Sequence, residues 1–507
     1  MANNKEKSGL FKKILDKVEV VGNKLPQPVT LFAILMGLIL ILSWIFGSLG
    51  VSVEHPAPDI TERINAINLL DAEGIRRILT NMVDVFAQFP PLGLVLAVML
   101  GIGVAERSGL ISVGLKIFVS KVPNSLITFS IVVAGMFSSV AVDAGYVVLI
   151  PLGAAIFMGM GRHPLAGLAA AFAGVSGGFG ANIIPTGIDP LIASFTQPAA
   201  QIIDPTYTVN PLSNFYLLAA SVPLVGLAGT WVTEKIIVPR LGTYEGESVH
   251  EEDEISPLEK KGLKWSLVSI AAFLVLIALA IIPSNGVLRD VDGSLNPFYN
   301  SIVPLMLILF LIAGLVYGII TKSIKGDKDV AKMTGDSMAG MGGYIVLAFV
   351  AAQFVAYFNW SNLGLIVAVS GASGLQNIGF TGIPLLVAFV LVSSFINLLI
   401  GSASAKWAIM APIFVPMLML MGYSPETAQA AYRIGDSYSN ILTPLLPYFP
   451  LVIVFAQKYD KNIGLGTIIS TMLPYALLFA AVRIPMFVAW ILLGLPLGIE
   501  GPIYYTP

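Results

Sequence analysis

Residues 28–50 hold no charged side chain, and apolar stretches of this kind recur along the whole chain. Others lie at 88–105, 126–160, 165–200, 211–237, 265–283, 300–321, 340–358, 363–400, 406–421, 440–457 and 466–495. About 20 apolar residues suffice for a helix to cross bilayer hydrocarbon. No water is present there to satisfy backbone groups, so a crossing segment must be a helix or part of a closed barrel. The pattern therefore predicts an all-α polytopic membrane protein. Composition agrees, with 11% charged and 56% hydrophobic residues. A soluble domain carries about 25% charged residues. The polar side chains here are too few to cover a water-facing surface. That excludes a cytosolic globular protein, a disordered chain and a nucleic-acid binder, which needs a basic face. The absence of Cys excludes disulfides, thiolate metal sites and Cys nucleophiles. Met1 to Lys17 is polar and basic, and no small-residue cleavage pattern follows the first apolar stretch. That stretch reads as a first span and not as a signal peptide.

Several stretches are too long or too short for one crossing. Those around 126–200 and 380–457 are broken by Gly, Pro, Ser and Asp. Irregular backbone at membrane depth is tolerated only inside protein or beside a water-filled cavity. These regions therefore predict re-entrant hairpins near 126–160 and 383–421, and broken helices near 165–200 and 427–457. Orientation follows the bias of Lys and Arg in short loops. Lys5, Lys7, Lys12, Lys13 and Lys17 place the tail of residues 1–27 in the cytoplasm. Lys322, Lys325, Lys328, Lys332, Lys458 and Lys461 place two further loops there. The segment 238–264 reads as a cytoplasmic linker between the halves 28–237 and 265–507. Its acidic run, Glu251 to Glu254, reads as solvated. The C-terminus then lies outside, which requires an odd number of spans.

The two halves resemble each other. Pro151 aligns with Pro412, an offset of 261 residues. The same offset pairs Ala144 with Ala405, Met158 with Met419, Met160 with Met421 and Gly161 with Gly422. It also pairs Pro164 with Pro425, Ala169–Ala170 with Ala430–Ala431, Gly174 with Gly435 and Ser176 with Ser437. A three-residue shift then aligns Asn182-Ile183 with Asn440-Ile441. The expectation is a duplicated half, its copies inverted or parallel, with the inverted arrangement preferred. Paired broken segments of this kind form the substrate site of many secondary transporters.

Ionisable residues inside spans are costly and mark pathways or pairs. Here they are Asp143, Asp189, Lys406, Arg433, Asp436 and Arg483. Arg433 and Asp436 are three apart, so they share a helix face and could pair with each other. Either the pair holds the fold, or Arg433 meets a substrate carboxylate while Asp436 tunes it; Arg binds carboxylates bidentately. Asp189 sits in GANIIPTGIDP with Asn182 and Thr186. These oxygens suit Na⁺, and the carboxylate could instead carry a proton or cap a helix. Asn440 is the counterpart of Asn182. At the second hairpin tip Ser402, Ser404 and Lys406 precede Trp407, which could stack an aromatic substrate or anchor the chain at an interface. Asp143 and Tyr146 hold the matching place in the first hairpin. Arg483 is expected to snorkel or to pair locally. Gly174 to Gly178 fits G-x-S-x-G, but a hydrolase elbow needs a strand-to-helix turn and a triad His. His55, His163 and His250 all fall in predicted loops. No zinc, P-loop or dinucleotide motif occurs, so the chain is not read as an enzyme. Repeated broken helices with paired charges favour alternating access over an open channel.

Eight motifs together resemble the AbgT family, the p-aminobenzoyl-glutamate transporters of bacteria. In the first half they are GNKLPQP at 22–28, GVAERSGL at 103–110, GRHPLAG at 161–167 and KIIVPRLG at 235–242. In the second half they are IPSNGVLRD at 282–290, QFVAYFNWSN at 353–362, APIFVPM at 411–417 and YRIGDSYSN at 432–440. The resemblance implies nine transmembrane helices plus two re-entrant hairpins in each protomer of a homodimer. It implies an inner scaffold, a mobile transport core and a bacterial cytoplasmic-membrane location. It further implies secondary active transport coupled to Na⁺ or H⁺, with no cofactor. The substrate class is p-aminobenzoyl-glutamate, or sulfonamides exported as antimetabolites. By this resemblance the substrate-binding positions are Ser404, Trp407, Pro425, Arg433, Asp436 and Pro444. Asp189 carries over as a coupling position, with Asn182 near a sodium site. Asp143, Ser402 and Lys406 are further candidates from their hairpin-tip positions. A general dicarboxylate or short-chain-acid carrier is the alternative.

Overall fold

The computed structural model describes residues 28–54, 63–120, 123–140, 145–244, 255–291, 293–443, 446 and 448–506. Among them, nine helices are long and apolar enough to cross a membrane. They include Pro28–Ser48, Pro257–Ile281, Ile302–Thr321, Gly342–Trp360 and Leu465–Leu492. Two of the nine, Gly382–Leu399 and Ala403–Leu420, are the arms of the second hairpin. Counting each broken helix as one crossing in place of the two hairpin arms again gives nine among the described residues. The apolar stretch 363–400 is not one element. It divides into Leu363–Asn377 and Gly382–Leu399, because Gly379 and Gly382 both take positive φ between them. The segment ahead of the second crossing contains the helix Ala72–Ala87. Asp71 caps that helix, accepting from the Gly74 N–H at 2.7 Å.

The duplicated plan holds down to single hydrogen bonds. The second arm of the first hairpin, Ile150–Gly159, ends where Gly161 turns to φ 70°. There Arg162 N–H donates to Phe157 O at 2.8 Å, and Gly161 N–H to Met158 O at 2.9 Å. In the second half Gly422 has φ 87°; Tyr423 N–H donates to Leu418 O and Gly422 N–H to Met419 O, both at 2.9 Å. Both turns are Schellman closures, which need a residue without Cβ at the left-handed position. Each then starts the next helix with Pro at its first turn. His163 Nδ1 caps Pro164–Phe172, and Ser424 Oγ caps Pro425–Ser439.

These two helices are the first pieces of the broken helices. The first runs Pro164–Phe172, loosens through a π-helical turn at Ala173–Gly177, and resumes as Ile188–Ala200. The second runs Pro425–Ser439, tightens at Asn440–Leu442 and resumes as Phe449–Gln457. Each lies against the first arm of its own hairpin at backbone contact. A Cβ on Gly174 would meet Val132 O at 2.3 Å, and one on Gly435 would meet Val390 O at 2.4 Å. Glycine there brings the broken helix onto the hairpin at a distance no other residue permits.

Every residue of Pro425–Ser439 is buried, although it carries Glu426, Gln429, Arg433 and Asp436. A helix polar on several sides and buried all round must have polar partners on each side. By contrast, Pro257–Ile281 buries only Gly262 and Ser266, and exposes Leu267, Val275, Leu276 and Leu279. Its apolar outer surface faces lipid or another chain. The core of the molecule is thus a polar helix packed between the second hairpin, the first broken helix and the last span, with apolar helices outside it. The C-terminal segment also pins this helix: Ser424 N–H donates to Ile503 O at 3.0 Å, and Thr427 Oγ1 to the same carbonyl at 2.7 Å.

Candidate functional site

The two broken helices and the hairpins converge on one polar cluster. Asn182, in the break of the first helix, donates to Ser139 Oγ of the first hairpin at 2.7 Å. In the second half Asn397 of the hairpin arm donates to Asn440 Oδ1 at 2.8 Å, in the break of the second helix. The sequence separation is 43 residues in both cases. The repeat thus places one hairpin-to-break hydrogen bond in each half. Asn397 also donates to Ser439 Oγ at 2.7 Å and to the carbonyl of Asp436 at 2.6 Å.

The charged residues do not pair as their spacing suggests. Arg433 turns away from Asp436 and reaches Asp189 of the first half, with Nη2 at 2.7 Å from Oδ1. Asp436 is instead bonded to Lys406 of the second hairpin, which also donates to Asn397 Oδ1. Neighbours three apart on a helix can pair, but packing brought each ion a partner from another element. The cost of burying a charge is met only when it has such a partner and further hydrogen bonds. Asp189 has both: its Oδ2 accepts from Thr186 N–H at 2.7 Å and from Thr186 Oγ1 at 3.0 Å. It therefore ties down the turn ahead of Ile188–Ala200 and neutralises Arg433 at once. No hydrogen bond joins it to Asn182, whose Oδ1 accepts from Ile184 N–H at 3.2 Å.

Arg433, Asp436 and Tyr432 line a cleft with Phe179 and Ile188 from the first half. Its open space is about 10 Å³, room for a single water molecule. Sites for drug-sized ligands span about 300–1,000 Å³. The conformation described is therefore closed around the cluster, and a ligand of that size enters only as the elements separate.

The remaining candidates have definite places. Trp407 is wholly buried, with its ring stacked on Tyr432 at 4.5 Å between centroids. Its Nε1 donates to Thr196 Oγ1 at 2.8 Å, which donates to Gln429 Oε1 at 2.6 Å. Trp407 thus ties the second hairpin to both broken helices, and it does not lie at a membrane interface. Ser402 caps Ala403–Leu420, accepting from Ala405 N–H at 3.4 Å, and Ser404 lies beside it at 3.4 Å. Pro425 is the first residue of its helix. Arg483 does not snorkel: it is buried within Leu465–Leu492 and donates to Ser437 Oγ. Ser176 lies in the π-helical turn and not on a strand-to-helix elbow. Asp143 and Pro444 lie outside the described residues. Three residues at the cluster were not singled out in sequence: Asn397, Tyr432 and Phe179. Asn397 had no signal, for the 261-residue offset pairs Ser139 with Ile400. Tyr432 opens the YRIGDSYSN motif beside Arg433. Nothing in the pattern singled out Phe179 from the other apolar residues.

A sequence model of the "AbgT putative transporter family" matches residues 13–505. The chain belongs to that family. It is 40% identical over 489 residues to the p-aminobenzoyl-glutamate transport protein of Escherichia coli (strain K12), across 96% of both chains. Two solved structures share the fold. The YdaH transporter of Alcanivorax borkumensis, reported to have an unusual topology, is 43% identical with a TM-score of 0.89; the match covers 94% of this chain and all of that one. MtrF of Neisseria gonorrhoeae, reported to illuminate a class of antimetabolite efflux pumps, is 49% identical with a TM-score of 0.91; it covers 96% of this chain and all of that one. The protein is thus a multi-pass membrane protein of a transporter family, with the helical architecture and internal duplication that its sequence predicts.

Proposed function

We propose that this protein is a secondary active transporter of p-aminobenzoyl-glutamate and related aminobenzoyl compounds. It works by alternating access in the bacterial cytoplasmic membrane, and it is not an enzyme. One observation carries the reading: the Arg433 guanidinium, at the rim of a cleft between the two halves, is held by an internal carboxylate, Asp189. A substrate carboxylate can replace that internal one. The name of the Escherichia coli relative supports the substrate class.

The pairing also suggests how transport is coupled. Substrate binding to Arg433 leaves Asp189 as an unpaired buried anion, a costly state. A cation restores neutrality, either Na⁺ or a proton. Substrate and cation therefore favour each other's binding, which is the requirement for coupling. The coupling position is Asp189, with the amide oxygens of Asn182 and Asn440 as hard ligands suited to Na⁺. On the substrate side Ser404, Trp407, Pro425, Asp436 and Pro444 join Arg433. Asp143, Ser402 and Lys406 adjust the hairpin tips. Phe179 and Tyr432 give the cleft aromatic faces for an aminobenzoyl ring.

The transport core comprises the hairpins, the broken helices and the last span. The remaining helices of the halves 28–237 and 265–507 form the scaffold, and the exposed face of Pro257–Ile281 suits a homodimer. The tail 1–27 and the linker 238–264 lie in the cytoplasm. A second reading, proton-driven export of sulfonamide antimetabolites, is favoured by the 49% identity to MtrF. Both substrates contain an aminobenzene unit.

Flux of labelled p-aminobenzoyl-glutamate into proteoliposomes under imposed Na⁺ or pH gradients tests the reading, with Arg433→Ala alongside. Gradient-driven flux that the variant loses is expected. Flux absent under every gradient, with export of a sulfonamide instead, moves the assignment to the second reading. Competition by succinate at equal potency moves it to a general dicarboxylate carrier.

A further inference from the structure

Three cations are buried in the core cluster, Lys406, Arg433 and Arg483, and two of them have carboxylates. Arg483 has none among the described residues. A guanidinium carries five N–H donors. That of Arg483 finds one described acceptor, Ser437 Oγ, and its Nε has no partner. Its relative exposure is 1%, in the middle of the spanning helix Leu465–Leu492. An unpaired buried charge in a membrane helix is a strong sign of function.

The position of that charge is informative. Ser437 is one helical turn beyond Arg433, on the same face of Pro425–Ser439. Four residues of helix rise about 6 Å, so the side chain that Arg483 bonds stands about 6 Å along the helix from Arg433. Arg433 and Asp436, which face Arg483 electrostatically, line the cleft. Glu426, another buried carboxyl of this helix, is two turns away and bonded to Tyr207. A second orphan lies in the first broken helix. Ser176 Oγ, the repeat counterpart of Ser437, is buried without a partner. Its π-helical turn packs on the same spanning helix, where a Cβ on Gly177 would meet the Phe479 ring at 3.0 Å. Phe479 is one turn before Arg483.

We propose that Arg483 is a second carboxylate-binding residue of the transport site, taking one carboxylate of a dianionic substrate while Arg433 takes the other. This deepens the function proposed above and rests on it. The glutamate moiety carries two carboxylates separated by three carbons, one for each guanidinium. Two cations at one site also distinguish this dianion from a monocarboxylate such as p-aminobenzoate.

The experiment is equilibrium binding to the purified full-length protein, in nanodiscs. The ligands are p-aminobenzoyl-glutamate and p-aminobenzoyl-γ-aminobutyrate, which lacks the α-carboxylate, together with p-aminobenzoyl-glutamine, which lacks the side-chain charge. The wild type is expected to prefer the dianion to at least one of the other two. Arg483→Gln is expected to weaken dianion binding by about tenfold or more. The same variant should bind one monoanionic analogue as the wild type does, so that the preference disappears. Ser437→Ala keeps the cation but frees its orientation, and should shrink the preference in the same direction even if Arg483→Gln fails to fold. An unchanged preference in the variant that folds overturns the proposal. Equal weakening of all three ligands, with a wild-type chloride requirement that the variant loses, makes Arg483 a structural halide site and also overturns it. A wild type that binds none of the three ligands refutes the functional reading itself, and this proposal with it.

Discussion

Arg433 pairs with Asp189 across the two halves of the chain at 2.7 Å, although Asp436 stands one turn away on its own helix. The pair joins the second broken helix to the start of Ile188–Ala200 in the first. Breaking a buried pair by removing one partner costs about 3–5 kcal/mol, because the other charge is left buried alone. Arg433→Ala is therefore expected to lose transport and also to lower the apparent melting temperature. Arg433→Ala with Asp189→Asn should recover most of the lost melting temperature and none of the flux. Thermal melts and proteoliposome flux on the single and double variants check this. A double variant as unstable as the single one would contradict the pairing.

Trp407 offers a test that separates packing from recognition. Its ring covers Tyr432 and its Nε1 donates to Thr196. Trp407→Phe keeps an aromatic face but removes the donor, at a cost of about 1 kcal/mol. Trp407→Ala empties a wholly buried site, which costs about 3–5 kcal/mol. Melting should fall in that order, while the affinity of Trp407→Phe for p-aminobenzoyl-glutamate stays within about threefold of the wild type. A large affinity loss in Trp407→Phe without a stability loss would mean that the substrate needs the indole N–H and not only its aromatic face.

Asp189→Asn addresses coupling. The amide keeps an acceptor for the Thr186 N–H but has no charge to release to a cation. Flux should persist at a reduced rate, and its dependence on the Na⁺ or pH gradient should flatten. Initial rates measured across a series of gradients decide this. A gradient dependence identical to that of the wild type would reduce Asp189 to its structural bonds with Thr186 and Arg433.

The parts of this fold legible in sequence are those set by period and by backbone demands. Hydropathy marks the spans because a bilayer permits only satisfied helices. Gly161 and Gly422 mark matched Schellman turns, and Pro164 and Pro425 mark matched helix starts, because few other residues fit those positions. The cluster residues Asp189, Lys406, Arg433 and Asp436 were visible because charge in a span needs a reason. Their partners were not. Spacing along one helix suggested Arg433 with Asp436, whereas the choice among buried partners depends on how four separate elements pack. The same limit applies to Trp407, whose stacking on Tyr432 joins residues on different helices. Arg483 could be read as an intramembrane charge, but its lack of a carboxylate is a three-dimensional fact.

His163 gives the turn between the first hairpin and the first broken helix a pH dependence that its counterpart Ser424 lacks. Its Nδ1 accepts from Leu165 N–H at 3.3 Å, and its ring lies edge-on to Tyr244 at 5.3 Å. Burial holds its pKa below the ordinary histidine value, with Asp460 nearby opposing that shift. The unfolded chain therefore takes up the proton first as pH falls through about 6.5. Stability from the neutral ring is fully present above that value. It declines with falling pH until the depressed folded pKa is reached. Protonation also removes the lone pair that caps the helix, an interaction worth about 1 kcal/mol. The apparent melting temperature is thus expected to drop between about pH 7.5 and about pH 5.5. His163→Ser keeps an N-cap, as Ser424 does in the other half, and should remove that part of the slope. An identical slope in the variant would place the titrating group elsewhere.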